Sequence, residues 1–181
     1  LSSSPFMEAL EEKMAEDDVM VLVHGYLAGG FAGKDKCITS PEDVQGLQTR
    51  AAGKSFEQML AGAGASIASM ASSEIYNAMQ TGVLQAANTS SSSFVSYRIY
   101  EQVSCYTPAG DEKAQAYYLE EAKKQEAASA KVFADAGVEI AEMSAEDFEA
   151  WRKLAMETSY KSFVEEVPDG QKLLDLALAV E

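Results

Sequence analysis

Ser40-Pro41-Glu42-Asp43-Val44-Gln45-Gly46-Leu47-Gln48-Thr49-Arg50 is the stretch on which the fold turns. Serine is a preferred helix cap, proline presets φ for the first turn, and two acids sit near the positive end of the helix dipole. Gly46 stops this short helix, and Leu47 to Arg50 reads as a strand that ends on a guanidinium. Helix, glycine stop and strand make one beat of an alternating α/β chain.

The beat repeats downstream. Phe56 to Leu60 is a helix ending near Gly62 or Gly64, and Ser66-Ile67-Ala68 a short strand. Ser72 caps another helix, with Ile75, Met79 and Tyr76 facing inward and Gly82 as its left-handed stop. Val83-Leu84 reads as a strand, Phe94 to Tyr100 as a helix and Val103 to Thr107 as a strand. Upstream, Ser4-Pro5 opens a helix carrying Phe6, Leu10 and Met14 on one face, and Asp17-Asp18 closes it. Val19 to Val23 is an apolar run of strand length, suited to burial on both sides in a parallel sheet. Gly25 to Phe31 reads as a flexible loop at that strand's carboxyl end, where ligands bind in open α/β sheets.

From Asp111 the texture changes. Asp111 to Ala136 is one long helix rich in Ala, Glu and Lys, stopped by Gly137, and Val138 to Ile140 is a short strand. Ser144 caps a further long helix through Phe148, Trp151, Leu154 and Phe163. Pro168-Asp169-Gly170 turns the chain into a last helix from Leu173 to Val180. The expected architecture is a parallel-rich α/β lobe with a helical cover.

Composition narrows the functional classes. The chain has 181 residues, 47% of them hydrophobic, and a formal net charge of −15. That is a globular composition, and its acidity argues against a nucleic-acid partner, which needs clustered Lys and Arg. No stretch approaches the ~20 apolar residues of a membrane helix. Cys37 and Cys105 would pair in an oxidising compartment and pack as small hydrophobes in a reducing one. With His24 the only histidine, a zinc site or a histidine-based triad is hard to assemble, and no phosphate-binding loop, HExxH or GxSxG is present. No enzyme, metal or cofactor is indicated.

The candidate site residues each carry two readings. Arg50 at a strand exit suits bidentate capture of a carboxylate, or pairs on the surface with one of 29 acids. Asn88-Thr89-Ser90 and the serines after them offer an amide, hydroxyls and helix N–H groups to an anion or polyol, or form an ordinary cap and loop. His24, Tyr26, Phe31 and Tyr97 could line a pocket, while core packing is the simpler reading for Phe31 and Tyr97. Phe148, Trp151 and the eight methionines read as core.

One resemblance adds to this. Ile38 to Arg50 resembles the I-x-x-P-x-D-hydrophobic-x-G-L-x-x-R signature of the DctP family, the solute receptors of tripartite ATP-independent periplasmic (TRAP) transporters. Gly64-Ala65, then Ser73-Glu74-Ile75-Tyr76-Asn77-Ala78-Met79-Gln80-Thr81-Gly82-Val83, and then Tyr97 to Tyr106 continue the likeness in order. It implies a type II periplasmic-binding-protein-like fold of two α/β lobes, hinge strands and a long helix, closing over a small organic acid for a membrane permease. Arg50 stands where family members bind the carboxylate, with Asn88, Thr89, Ser90, Tyr26 and His24 as further ligand contacts. Gln85-Ala86-Ala87-Asn88-Thr89-Ser90 departs from the family's D-G-x-E-N-P, so Thr89 replaces a ligand-facing asparagine. The Glu-Trp pair with which some relatives hold a metal is absent. The resemblance further implies that Cys37 and Cys105 lie on adjacent hinge-crossing segments and form a disulfide, and that the location is the periplasm.

The expected organisation is then residues 1–36 as a remnant of a largely missing first lobe with a ligand-side loop and hinge strand, 37–107 as the second lobe, and 108–181 as the connecting helix and C-terminal helices. Further segments are expected before Leu1 and between Gly110 and Asp111. The alternative function is an acidic helical module that dimerises through the Tyr117, Tyr118 and Phe133 region of the long helix. A homodimer of receptors through that helix would combine the two.

Overall fold

The computed structural model describes residues 4–22, 28–108 and 116–179. In chain order its helices are α1 (Pro5–Glu16), α2 (Lys54–Gly62), α3 (Ile75–Gln80), α4 (Ser91–Ser96), α5 (Ala116–Asp135), α6 (Ala145–Glu157), α7 (Ser159–Glu166) and α8 (Gly170–Leu178). The strands are β1 (Gly29–Gly33), β2 (Gln48–Arg50), β3 (Ser66–Ile67), β4 (Ala86–Ser90), β5 (Cys105–Pro108) and β6 (Glu139–Ile140). They form one sheet in the order β3-β2-β4-β1-β5-β6. The pairs β2/β3, β2/β4 and β5/β6 are parallel, whereas β1 runs antiparallel to both β4 and β5.

Alternation along the strands divides the core into two layers. On one face Ala32, Ala87 and Tyr106 pack beneath Ile75 and Met79 of α3, Phe94 of α4 and Phe133 of α5. On the other, Phe31 and Ala86 meet Ile38, Val44, Leu60 of α2 and Trp151 of α6. Trp151 stacks on Phe31 with ring centroids 5.2 Å apart, and its indole N–H donates to the Thr39 carbonyl at 2.8 Å. The result is a three-layer α/β fold of the expected class.

The opening stretch folds as its signals dictate. Pro41–Val44 forms a single 3₁₀ turn, and the Asp43 carboxylate accepts from the N–H groups of Thr39 and Ser40 and from both hydroxyls. Burial pushes the Asp43 carboxyl up, but these four donors outweigh it and hold it below its ordinary range. Gly46 takes the positive φ of 74° that stops the turn.

The first strand is a correction. Val19 to Leu22 form no strand and are largely solvated, with Met20 78% and Leu22 86% exposed, and Val23 lies outside the described residues. The strand comes later, in the segment read as a flexible loop. Gly29–Gly33 becomes the central β1 because its glycines permit close approach: a Cβ on Gly33 would lie 1.9 Å from the Lys36 carbonyl oxygen.

Val83-Leu84 is a second correction. Leu84 N–H bonds back to Ala78, so these residues finish the turn after α3 with Leu84 fully buried, and the strand begins at Ala86. The helix expected from Ser144 through Phe163 breaks at Thr158 into α6 and α7. There the hydroxyls of Thr158 and Ser159 bond back to the Leu154 and Ala155 carbonyls, local competition of the kind that bends helices. Tyr97, Phe148, Met20 and Met156 are exposed rather than core.

Cys37 and Cys105 are bonded, with Cα atoms 5.0 Å apart, tying the segment after β1 to the start of β5. Lys13 of α1 reaches Asp169 at the start of α8 at 3.3 Å. Phe133 is fully buried, stacked on Tyr106 at 4.5 Å, so it cannot form the dimer surface read from the sequence. Tyr117 and Tyr118 lie outside the described side chains.

Candidate functional site

The site begins at the carboxyl end of β2. Register places Arg50 beside Ala87, so its side chain leaves the sheet on the face of Ala87, above Met70 and Thr89. Arg50 as a whole residue is 9% exposed. Its Nε donates to the Met70 carbonyl at 3.1 Å and its Nη1 to the Asn88 carbonyl at 2.9 Å. Among the described residues no carboxylate lies within ion-pair distance of it. Burial lowers its pKa from the ordinary value and Glu57 works against that, but a guanidinium stays charged throughout the physiological range. A buried cation held by two neutral carbonyls keeps an unmet demand for an anion.

Thr89 lies 6% exposed on the same face, its hydroxyl 3.3 Å from that of Ser72. Ser72 was missed as a site residue because its position before a helix reads as a cap. That cap instead rests on Glu74, whose carboxylate accepts from the Ala71 N–H. The signal for Ser72 is tertiary, since β4 must lie beside the connection that follows β3.

The other expected contacts are distributed differently. Alternation along β4 turns the Asn88 side chain to the opposite face, beside Phe31 and Thr107. Its amide N–H donates to the Gly30 carbonyl at 3.1 Å, while Oδ1 is buried with no hydrogen bond among the described residues. Thr107, also paired with Phe31, buries an unbonded hydroxyl on that face. Ser90 is occupied as the N-cap of α4, accepting from Ser93 N–H at 3.3 Å. The structure therefore brings Arg50, Thr89 and Ser72 together, keeps the Asn88 main chain with them, and separates the Asn88 side chain. His24 and Tyr26 lie outside the described residues.

No helix among the described residues is long and apolar enough to cross a membrane. Cys37, Cys105 and Glu139 are the metal-capable cluster among the described residues, and their two sulfurs are spent in the disulfide.

The described residues thus place a largely buried arginine at a strand's carboxyl end, with two carbonyl partners and no carboxylate among them. Residues 1–112 match the model of the bacterial extracellular solute-binding proteins, family 7 (DctP), and the chain belongs to that family. A solute-binding protein of Albidiferax ferrireducens is 30% identical over 93% of this chain, which spans 59% of that relative's length. Among solved structures, a TRAP periplasmic solute-binding protein from Rhodoferax ferrireducens with bound malonate superposes over 99% of this chain and 67% of its own, with a TM-score of 0.87 and 27% identity. One from Roseobacter denitrificans with bound β-D-glucuronate covers 97% of this chain and 67% of its own, with a TM-score of 0.79 and 27% identity.

Proposed function

We propose that this protein is the solute-binding subunit of a TRAP transporter, a periplasmic and non-catalytic receptor that captures a small organic acid and delivers it to the membrane permease. The observation that carries the reading is Arg50, a buried guanidinium held at Nε and Nη1 by carbonyls and lacking a carboxylate partner among the described residues. One bidentate pair to a ligand carboxylate would satisfy it and fix the ligand's orientation. Thr89 and Ser72 supply hydroxyls beside that point. Malonate and β-D-glucuronate in the two relatives are carboxylates, which fits such an anchor. Two lobes, with residues 37–107 forming one and the long helix bridging them, are the organisation this function calls for.

The test is titration calorimetry of the full-length protein against malonate, glucuronate and other organic acids. Arg50→Lys, which keeps the charge and removes the fork, should weaken binding of the tightest acid at least about tenfold, the order of a lost charge-assisted hydrogen bond. Unchanged affinity would remove the anchor.

A further inference from the structure

Ser91 is where the candidate site is tied to the rest of the molecule. It follows Ser90 directly, opens α4, and is 2% exposed. Three separate segments hold it. Its N–H donates to the Ala28 carbonyl at 2.9 Å, just before β1. Its hydroxyl accepts from the Tyr106 hydroxyl of β5 at 2.7 Å and donates to Glu126 Oε1 of α5 at 3.2 Å. Tyr106 lies 3.5 Å from the same carboxylate oxygen and is clamped between Phe133 and Phe94.

Glu126 is out of place by the standards of a helical cover. Half-buried, it meets Ser91 and Tyr106, whose ring packs against Phe94 and Phe133, and burial raises its carboxyl above the ordinary range, while the hydroxyls of Ser91 and Tyr106 only partly offset that. An apolar side chain of similar size would occupy this half-buried position without the carboxyl's partial desolvation cost. A carboxyl kept there at a cost has some role other than stability.

We infer that Glu126 is a positioning residue for the candidate site: through Ser91 it fixes the strand-to-helix corner carrying Asn88, Thr89 and Ser90, and so links the seating of α5 to solute affinity. The link to affinity rests on the receptor reading above; the fixing of the corner does not. Hydrogen bonds run in one direction, from Tyr106 to Ser91 to Glu126, and end on an acceptor of charge-assisted strength. When α5 shifts relative to the sheet, the carboxylate carries Ser91 with it, and the main-chain carbonyl of Asn88 that holds Arg50 lies three residues away on the same strand-to-helix run.

The experiment compares unmodified full-length protein with Glu126→Leu, Glu126→Gln and Ser91→Ala, by amide hydrogen exchange, thermal unfolding and titration with malonate and glucuronate. Glu126→Leu should speed exchange across residues 90–94 about tenfold with an unfolding temperature equal to or above that of the parent, and weaken the tighter-bound acid about tenfold. Glu126→Gln, which still accepts from Ser91, should restore both to within about threefold. Parental exchange and affinity in Glu126→Leu would overturn the proposal, as would equal loss in the Gln and Leu variants. If Glu126→Leu does not fold, Ser91→Ala decides it by the same two readouts. If the unmodified protein binds no acid, the receptor reading and the link to affinity fail together, while exchange at residues 90–94 still decides the positioning role.

Discussion

The Arg50 guanidinium donates to the main-chain carbonyl of Asn88 at 2.9 Å, across the parallel pair β2 and β4. The residue expected to offer its amide to a ligand instead holds the guanidinium through its backbone, with its side-chain amide bonded to Gly30. Because a backbone carbonyl holds it, the grip is independent of side-chain identity at position 88. Asn88→Ala should accordingly leave the orientation of Arg50 intact and weaken acid binding less than threefold, against a loss beyond detection for Arg50→Ala. Arg50→Ala should also lower stability by about 1–3 kcal/mol, the cost of leaving two carbonyls unpaired. Calorimetry beside denaturant unfolding separates the two effects.

Asp43 predicts the acid limit of the fold. A carboxylate held below its ordinary range stabilises the protein fully above its unfolded value of 3.8, and that contribution is lost as pH falls through the lower folded value. Asp43→Asn should cost about 1–2 kcal/mol at pH 7, the scale of a lost cap. The difference from the parent should shrink as pH drops below about 4. Urea titrations at pH 7, 5 and 3 measure it, and a constant difference would contradict the assignment.

The bond between Cys37 and Cys105 closes a loop with a sequence separation of 68 residues. In the chain-entropy picture, opening a loop of that size costs about 4 kcal/mol. Cys37→Ser with Cys105→Ser, or treatment with a reductant, should lower the denaturation midpoint by a matching amount while leaving Arg50 in place. No change on reduction would mean that the sheet already fixes both ends.

Trp151, the sole tryptophan, reports on the layer beneath α6. Trp151→Phe keeps stacking on Phe31 and loses the bond to the Thr39 carbonyl, for an expected cost of about 1–2 kcal/mol. Trp151→Ala should cost about 3–5 kcal/mol through the cavity left behind. Differential scanning calorimetry on the pair gives both numbers, and a larger loss for the phenylalanine variant would reverse the ranking.

Local chemistry made much of this fold legible. Pro41, Asp43 and Gly46 act within a few residues of themselves, so the turn and the strand ending at Arg50 follow directly from their order. The same holds for the glycine stops after α3 and α5, which take positive φ. What escaped depends on distant partners. Gly29-Gly30-Phe31-Ala32-Gly33 has the composition of a loop, and only packing between β4 and β5 makes it a strand. Val19 to Leu22 has the composition of a strand, and the described residues supply it no neighbour to pair with. At the site, Arg50 was legible as a cation at a strand exit. Ser72 and Glu126 were not, because their partners lie 17 and 35 residues away in sequence.

The placement of β1 also governs the order of events as the chain folds. Phe31 finds its partners at Asn88 and Thr107, 57 and 76 positions later, so the middle of the sheet stays open until most of the polypeptide is available. Closing such long loops before any reward slows folding. A nascent chain would therefore leave β1 without both of its neighbours until the segment through Pro108 arrives, and its two aromatic layers open until Phe133 and Trp151 follow.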